Sequence, residues 1–444
     1  MGSRRNLDRA RCQEWSTSVE CGRCAGTQHR RRWGLGSAVA RSFTPRLFSW
    51  PAAVNRGINR LASRHQPRGL ATRNCKSRHH HHTGDTRMAF RFKSALAAGA
   101  LSLASVFAPA TQAETFKVTF SAAHGPQLPW IGMIENFYMP EVDKRLKEAG
   151  GKHSIVWNKA FSGTLAKVGG ELDAVSNGVA EMGYVYTIFE PAKLPLLAVC
   201  FMAPFGSDDP RVLNKIMFEM HQELPELASQ WTRHNQIFLA AVSTDTDYLL
   251  TNFPVNSIAD LKGRKLGAAG SLSLWANGIG AVPVQGDFAT HFNNIKTGVY
   301  DGLIAFTTGM YPPKLHTVAP FATRVDLGSM MIGALTINKA FHDRLPPDVQ
   351  RILKDVGKEY NDRIANTLLG LAATFEKRMA DEGTKFSKLS ADERLKWATT
   401  MPNIARNWAD TNAKRGLPAP VVLNAYMKKL RDHNVPLARE WDKN

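Results

Sequence analysis

Cysteine is nearly absent from the main part of this chain. Of the five cysteines in 444 residues, only Cys200 lies after residue 113, so no disulfide can form within that part. Cys200 stands in an apolar run, residues 196–204, and is expected to be a small buried hydrophobic residue. The others are Cys12, Cys21, Cys24 and Cys75, and the CxxC spacing of two of them has no second pair at a zinc-like distance. This pattern excludes a disulfide scaffold and does not support a structural zinc site.

The sequence also lacks the short motifs of common enzyme sites. It has no GxxxxGK[ST] phosphate-binding loop, no HExxH zinc motif and no GxSxG nucleophile motif. The nearest candidate is a glycine-rich turn, GAAGS at residues 267–271, at the end of a predicted strand. Its backbone N–H groups would suit a carboxylate or phosphate, although a tight turn that only reverses the chain fits as well. No catalytic residue, cofactor or metal site is predicted.

Basic charge is confined to one end of the chain. The net charge is +19, but residues 1–87 carry 18 basic and four acidic side chains, a net of +14. Residues 88–113 add +2, and the remaining residues are near neutral at +3. A nucleic-acid-binding protein would carry its basic surface on the folded domain, so no nucleic-acid partner is expected.

The only long apolar run is too short to span a membrane. Residues 95–108 are apolar, follow Arg91 and Lys93, and precede small residues at 111 and 113. This is the pattern of a secretory signal peptide over residues 88–113, with cleavage expected before Glu114 and export to the periplasm. Residues 1–87 are then expected to be a disordered extension that is non-native or wrongly assigned. Their Arg-rich composition is the alternative sign of a mitochondrial transit peptide, and the run of four histidines at 79–82 is expected to have no function.

From Glu114 onward the sequence alternates strand and helix patterns. Two β-α-β-α-β units are predicted, with strands near residues 116–121, 154–157 and 181–188, and again near 265–268, 282–285 and 299–306. This order predicts parallel sheets covered by helices, in two α/β lobes of about residues 114–240 and 250–335. A helix over residues 348–380, about 50 Å long, would span both lobes, and C-terminal helices within residues 346–435 would pack on them.

Several motifs resemble the DctP family, the extracytoplasmic solute receptors of TRAP transporters. They are DLKG at 260–263, GAVPV at 280–284, GVYDG at 298–302 and, in the first lobe, ELDAVSNGVAEMG at 171–183. The resemblance covers residues 115–435. It implies a bilobal periplasmic-binding-protein fold, type II-like, that captures a small organic acid and delivers it to a two-component TRAP membrane permease. A monomer without cofactor is expected.

Four positions depart from what the family usually has. Gly267 replaces the arginine that clamps the ligand carboxylate, and Tyr248, Thr290 and Ala305 replace an arginine, a glutamate and an asparagine. Loss of an arginine fork removes roughly 1.5–3 kcal/mol per charged hydrogen bond. A C4-dicarboxylate is therefore less expected than a bulkier acid in a roomier, more apolar pocket.

The predicted binding residues lie at strand ends, helix starts and the glycine-rich turn. They are His124, Gln127, Trp130, Lys159, Phe161, Tyr184, Tyr186, Tyr248, Gly267, Gly270, Ser271 and Phe306. His124 or Lys159 is expected to neutralise the acid in place of arginine, so that alanine at either position weakens binding at least tenfold; the alternative for both is an ordinary surface position. Two other functions remain open: a receptor that docks to a sensor kinase, and an enzyme on a similar fold.

Overall fold

Two β-sheets form the framework of the computed structural model, which describes residues 113–443. The predicted extension at 1–87 and nearly all of the predicted signal peptide at 88–113 lie outside the described residues. The strands are β1 (Glu114–Ser121), β2 (His153–Ala160), β3 (Met182–Val185), β4 (Gln236–Ser243), β5 (Asp247–Thr251), β6 (Lys265–Gly267), β7 (Val282–Val284), β8 (Gly302–Phe306), β9 (Phe321–Arg324), β10 (Met331–Asn338) and β11 (Lys385–Lys388).

The two sheets share a five-strand topology, to which the second adds an edge strand, β11. The first has the order β2-β1-β3-β10-β4, and the second has the order β11-β9-β5-β8-β6-β7. In each, a central strand (β1 or β6) pairs in parallel with its two neighbours, and one strand (β10 or β5) runs antiparallel. We call each sheet with its covering helices a lobe. The predicted α/β bilobal fold is confirmed.

Helices cover both sheets. They are α1 (Pro129–Met133), α2 (Met139–Glu148), α3 (Glu171–Ser176), α4 (Val199–Met202), α5 (Pro210–Glu223), α6 (Pro225–Thr232), α7 (Ser273–Gly278), α8 (His291–Lys296), α9 (Thr307–Met310), α10 (Lys339–His342), α11 (Pro347–Asp381), α12 (Ala391–Thr400), α13 (Ile404–Lys414) and α14 (Ala419–Asp432). A π-helical turn, Ile134–Tyr138, joins α1 to α2. Within the described part, no helix is long and apolar enough to cross a membrane.

The long helix α11 contacts both lobes. Its 35 residues start at a proline, which is tolerated in the first turn because that N–H has no partner within the helix. Near its start, the Leu353 carbonyl accepts a hydrogen bond from Tyr138 of the first lobe at 3.2 Å. Near its end, the Glu376 carboxylate accepts one from Tyr248 of the second lobe at 2.7 Å. The predicted helix at 348–380 is thus found almost residue for residue.

Two chain segments cross between the lobes side by side. Residues 244–246 join β4 to β5, and residues 325–330 join β9 to β10. The Thr244 N–H donates to the Met330 carbonyl at 3.0 Å, and the Met330 N–H donates to the Thr244 hydroxyl at 3.2 Å. A pair of adjacent crossings is the arrangement that permits hinge closure of two rigid bodies.

Some predicted elements differ in extent. The region between α4 and β4 holds two helices, α5 and α6, because Pro225 cannot donate the hydrogen bond that would continue the first. The strand at 181–188 ends at residue 185 and passes into a 3₁₀ turn. The lobe boundaries of about 114–240 and 250–335 remain a proposal. The second range includes the start of β10, which pairs in the first sheet.

Candidate functional site

A small cavity lies between the lobes, at the carboxyl ends of the parallel strands. Its volume is about 40 Å³, which is room for about one water molecule. The first lobe lines it with residues after β1 and β3 and at the start of β10, and the second lobe with residues after β6 and β7 and at the end of β8. The lining residues are His124, Tyr186, Ile188, Phe189, Ala269, Leu272, Asp287, Phe288, His291, Ile304, Ala305, Phe306, Met330 and Ile332. Open α/β sheets bind ligands at this edge.

Two larger grooves lie elsewhere. One, of about 530 Å³, runs between α5 and α11, and another, of about 560 Å³, is lined by residues of 206–212, 388–394 and 433–436 together with Asp326. Neither includes a residue from the ends of β1, β3, β6 or β8. Size therefore favours the outer grooves, whereas topology and the convergence of both lobes favour the cleft, and we assign the site to the cleft.

Aromatic rings and aliphatic side chains together form the cleft wall. Phe288, from the loop before α8, lies with its ring centroid 6.1 Å from Trp130 and 5.6 Å from Phe306. The Trp130 indole N–H donates to the Tyr186 hydroxyl at 2.8 Å, so both polar groups of these large side chains are satisfied. Such a wall offers flat, apolar surface to a ligand and few hydrogen-bonding groups.

His124 presents an imidazole to the cavity from the first lobe. It is 5 % exposed, and neither ring nitrogen has a hydrogen-bond partner among the described residues. Its ring stands edge-on to Tyr186 at 5.0 Å. Burial lowers the pKa of His124, against a smaller opposing influence of Asp287. A buried imidazole with two unpartnered nitrogens is costly, and a polar ligand atom would relieve that cost.

His291 presents a second imidazole from the second lobe. Its Nδ1 is 2.5 Å from the Tyr300 hydroxyl, which is also 3.4 Å from the Asn294 amide nitrogen. Burial lowers the pKa of His291 to about 4, with Asp287 opposing and His124 adding to the effect. The Tyr300 contact fixes the orientation of the ring, so that Nε2 is the nitrogen free of Tyr300.

Asp287 is the one acidic residue of the cleft lining. Its Oδ1 accepts hydrogen bonds from the Ala289 and Thr290 N–H groups at 2.8 and 3.1 Å and from the Thr290 hydroxyl at 3.3 Å. The carboxylate thus caps the turn before α8. Thr290 serves this cap and is exposed.

Only some of the predicted site residues line the cavity. His124, Tyr186 and Phe306 do, and Ala305 lies beside them. Trp130 stands behind Tyr186, and the Tyr184 ring packs against Tyr186 at 4.7 Å but points into the core, with its hydroxyl unpartnered.

Four predicted residues lie elsewhere. Lys159 pairs with Glu135 at 2.9 Å on the outside of the first lobe, and Tyr248 is bonded to Glu376. Gln127 is exposed, and Phe161 packs edge-on against Phe120 in the core.

The glycine-rich turn makes a contact between the lobes instead of an anion site. A Cβ on Gly270 would lie 2.0 Å from the Ile188 carbonyl oxygen, and its φ of +48° also favours glycine. The Gly270 N–H donates to the Gln285 side chain at 3.0 Å, and Ser271 is buried beside it. Turn geometry, not ligand contact, explains these residues.

Gly267 makes no opening into the cleft. A Cβ there would lie 2.8 Å from Cε2 of Tyr300, so the tyrosine ring occupies the space beside this glycine. The expected apolar lining is present, but the extra room expected from the missing arginine is filled by Tyr300.

The sequence reasoning missed Asp287, Phe288 and His291. All three follow β7, so the rule that ligands bind beyond the carboxyl ends of parallel strands could have found them. Asp287 and Phe288 lie in the loop before α8, which begins at His291.

The fold and cleft define a class, the two-lobed α/β binding proteins. A family model, bacterial extracellular solute-binding protein, family 7 (DctP), matches residues 141–411, more than half of the chain. The chain belongs to this family, and the resemblance noted in the sequence is confirmed.

One curated relative is similar to this chain in sequence. The C4-dicarboxylate-binding periplasmic protein DctP of Rhodobacter capsulatus is 31% identical over 166 residues, 36% of this chain and 48% of that protein. The match thus spans about half the length of this relative.

The solved structures are more distant in sequence but nearly complete in coverage. A TRAP solute binding protein of Rhodoferax ferrireducens T118, with copurified benzoate, is 18% identical with a TM-score of 0.63, covering 72% of this chain and 98% of that one. A TRAP periplasmic solute binding protein of Shewanella oneidensis, with bound succinate, is 20% identical with a TM-score of 0.61, covering 71% and 100%. At these identities the likeness shows the fold alone.

Proposed function

We propose that this protein is the solute receptor of a TRAP transporter, which captures a small organic acid in the cleft and delivers it to a membrane permease. The observation that carries the proposal is the cavity at the strand ends, lined by both lobes and containing the unpartnered imidazole of His124. Family membership supports solute binding in general. The predicted export signal at 88–113 supports a periplasmic location.

The lining favours an acid with one carboxylate and an apolar, aromatic body. No lysine or arginine lines the described cleft, so two negative charges would be poorly compensated. Phe288, Phe306 and Tyr186 would instead surround a flat ring, with Trp130 packed behind them. The Rhodobacter relative is named as a dicarboxylate-binding protein, but this chain matches only about half of the length of that relative.

Binding requires the lobes to separate and close. A cavity of about 40 Å³ cannot hold an organic acid, so the cleft must open at the paired crossings and close again around the ligand. The ligand would then stabilise a closed state that a permease can recognise, without chemical turnover.

Calorimetry with a panel of acids tests this function. We expect benzoate to bind tightly and succinate at least tenfold more weakly, each recovered unchanged by NMR. A replacement, Phe306→Leu, removes one aromatic face and should weaken benzoate binding by roughly two- to tenfold, in line with about 0.5–1.5 kcal/mol for an aromatic pair. Phe341→Leu, at a half-buried phenylalanine of α10, is the matched control.

Three results would count against the proposal. Consumption of the acid would indicate an enzyme, and tighter binding of succinate would contradict the single-carboxylate class. Capture of a sensor kinase instead of permease subunits by the loaded receptor would favour sensing over transport. A monomeric elution volume is expected with and without benzoate.

A further inference from the structure

Two buried imidazoles, one from each lobe, face the same small cavity. His124 and His291 are 5 % and 4 % exposed. The Phe288 ring lies near both, with centroids 6.2 Å from His124 and 5.7 Å from His291. A group that binds beside Phe288 once the cleft has opened therefore lies near an imidazole of each lobe.

Two glycines of the second lobe leave space for the hydrogen bond that holds His291 in place. A Cβ on Gly286 would lie 3.0 Å from the His291 ring and from the Tyr300 hydroxyl, and a Cβ on Gly267 would lie 2.8 Å from the Tyr300 ring. The missing side chains at both glycines make room for the Tyr300–His291 hydrogen bond. With Nδ1 engaged by Tyr300, Nε2 has no partner among the described residues and is the nitrogen available to a ligand.

The charges around the imidazoles disfavour binding of an anion unless one of the imidazoles is protonated. The titratable groups that face them are Asp287 from the loop before α8, Tyr186 from the end of β3 and Tyr300 from the turn before β8. Glu171, at the start of α3, acts on Tyr186 from behind. With both imidazoles neutral, a carboxylate ligand would join the Asp287 carboxylate in a cleft without lysine or arginine.

We propose that His124 and His291 together hold the carboxylate of the ligand, and that the pair takes up a proton from solvent as the acid binds. The inference rests on the proposed function and specifies how it works. The ligand remains a carboxylate, one imidazole becomes an imidazolium, and the charge added by the ligand is cancelled. Tyr300 is a positioning residue that orients His291.

The direction of the pH dependence follows from burial. Burial lowers the pKa of both imidazoles, so they are neutral near pH 7 before the ligand arrives. A neighbouring carboxylate raises the pKa of an imidazole. Because the bound-state pKa is the higher one, binding is strongest at low pH, and the Kd rises by up to tenfold per pH unit for each proton taken up.

Calorimetry of the whole chain with benzoate tests the proposal. Titrations between pH 5.5 and 8.5 keep benzoate ionised, because carboxyl groups titrate near pH 4. Measurement at each pH in two buffers that differ in ionisation enthalpy, and whose pKa values lie near that pH, gives the number of protons exchanged. We expect uptake of about one proton per benzoate near pH 6.5 and a Kd that rises with pH.

Substitution of each histidine tests whether the proton taken up on binding goes to His124 and His291. His124→Gln and His291→Gln should each weaken benzoate binding at least tenfold at pH 6 and reduce proton uptake. Tyr300→Phe should shift the pH profile with a smaller change at pH 6. His433→Gln, outside the cleft after α14, should keep the wild-type Kd, uptake and profile.

The failures are distinguishable. A pH-independent Kd with no buffer dependence, or wild-type uptake in both histidine variants, overturns this inference and leaves the receptor function standing. No binding of any acid overturns both. If a variant does not fold, NMR of the wild-type imidazole protons decides: benzoate must raise the pKa of at least one cleft histidine, and unchanged titrations refute the proposal.

Discussion

Glu171 should make the protein less stable as pH rises. This carboxyl group begins α3 and is 1 % exposed. Its Oε2 accepts one hydrogen bond, from the Gly169 N–H at 2.8 Å, and its Oε1 has no partner among the described residues. Burial raises the pKa of Glu171 to about 8; the backbone N–H groups oppose the shift, and Glu190 adds to it.

The sign and size follow from linkage. The ordinary pKa of 4.5 applies to the unfolded chain, so the folded value is raised. A raised pKa gives stability that is fully present below pH 4.5 and is lost as pH rises through about 8. Each pH unit lowers the free energy of unfolding by at most about 1.4 kcal/mol. The total loss is about 3 kcal/mol by pH 7 and about 5 kcal/mol above pH 8.

Urea denaturation of Glu171→Gln, compared with wild type between pH 4.5 and pH 8, measures this loss. Glutamine keeps the shape and the acceptor for Gly169 but does not titrate. The free energy of unfolding of the variant minus that of wild type should therefore grow with pH, by about 3 kcal/mol between pH 4.5 and 7. Glu226→Gln, in the first turn of α6, is the control and should follow wild type. Parallel curves for wild type and Glu171→Gln would refute the reasoning.

Two further predictions concern residues of the candidate site. Gly270→Ala places a Cβ against the Ile188 carbonyl across the lobes, so it should disfavour closure and weaken benzoate binding at least tenfold by calorimetry; an unchanged Kd would contradict this contact. Lys159→Ala breaks only an exposed ion pair with Glu135, worth about 0–1 kcal/mol, and should change the Kd less than twofold. A tenfold loss there would restore the expectation from the sequence and contradict the cleft as described.

The large elements of the fold were predictable because their patterns are long. The predicted helix at 348–380 matches α11, Pro347–Asp381, since thirty-odd residues give many repeats of the apolar stripe. The four-residue strands β9 and β11 give no such repeat, and tertiary pairing at the sheet edge decides them. The break at Pro225 was readable, because the residue before a proline avoids the helical region.

The site was predictable at the level of loops and not of side chains. Topology places the residues after β1, β3 and β8 in one cleft, and this is how His124, Tyr186 and Phe306 were found. Whether a side chain at a strand end turns inward depends on its neighbours. Lys159 points outward, where it pairs with Glu135 of another element.

Gly267 shows why a single position is a poor guide to a pocket. Taken alone, a glycine where the family resemblance implies an arginine indicates lost charge and added space. In the structure the space belongs to Tyr300, whose hydroxyl meets His291. This hydrogen bond needs Tyr300 and His291 as its partners. It also needs Gly286, because a side chain there would meet both partners. Where the family resemblance implies a permanently charged arginine, the described cleft therefore holds a Tyr300–His291 hydrogen bond, and we propose that imidazoles supply the positive charge.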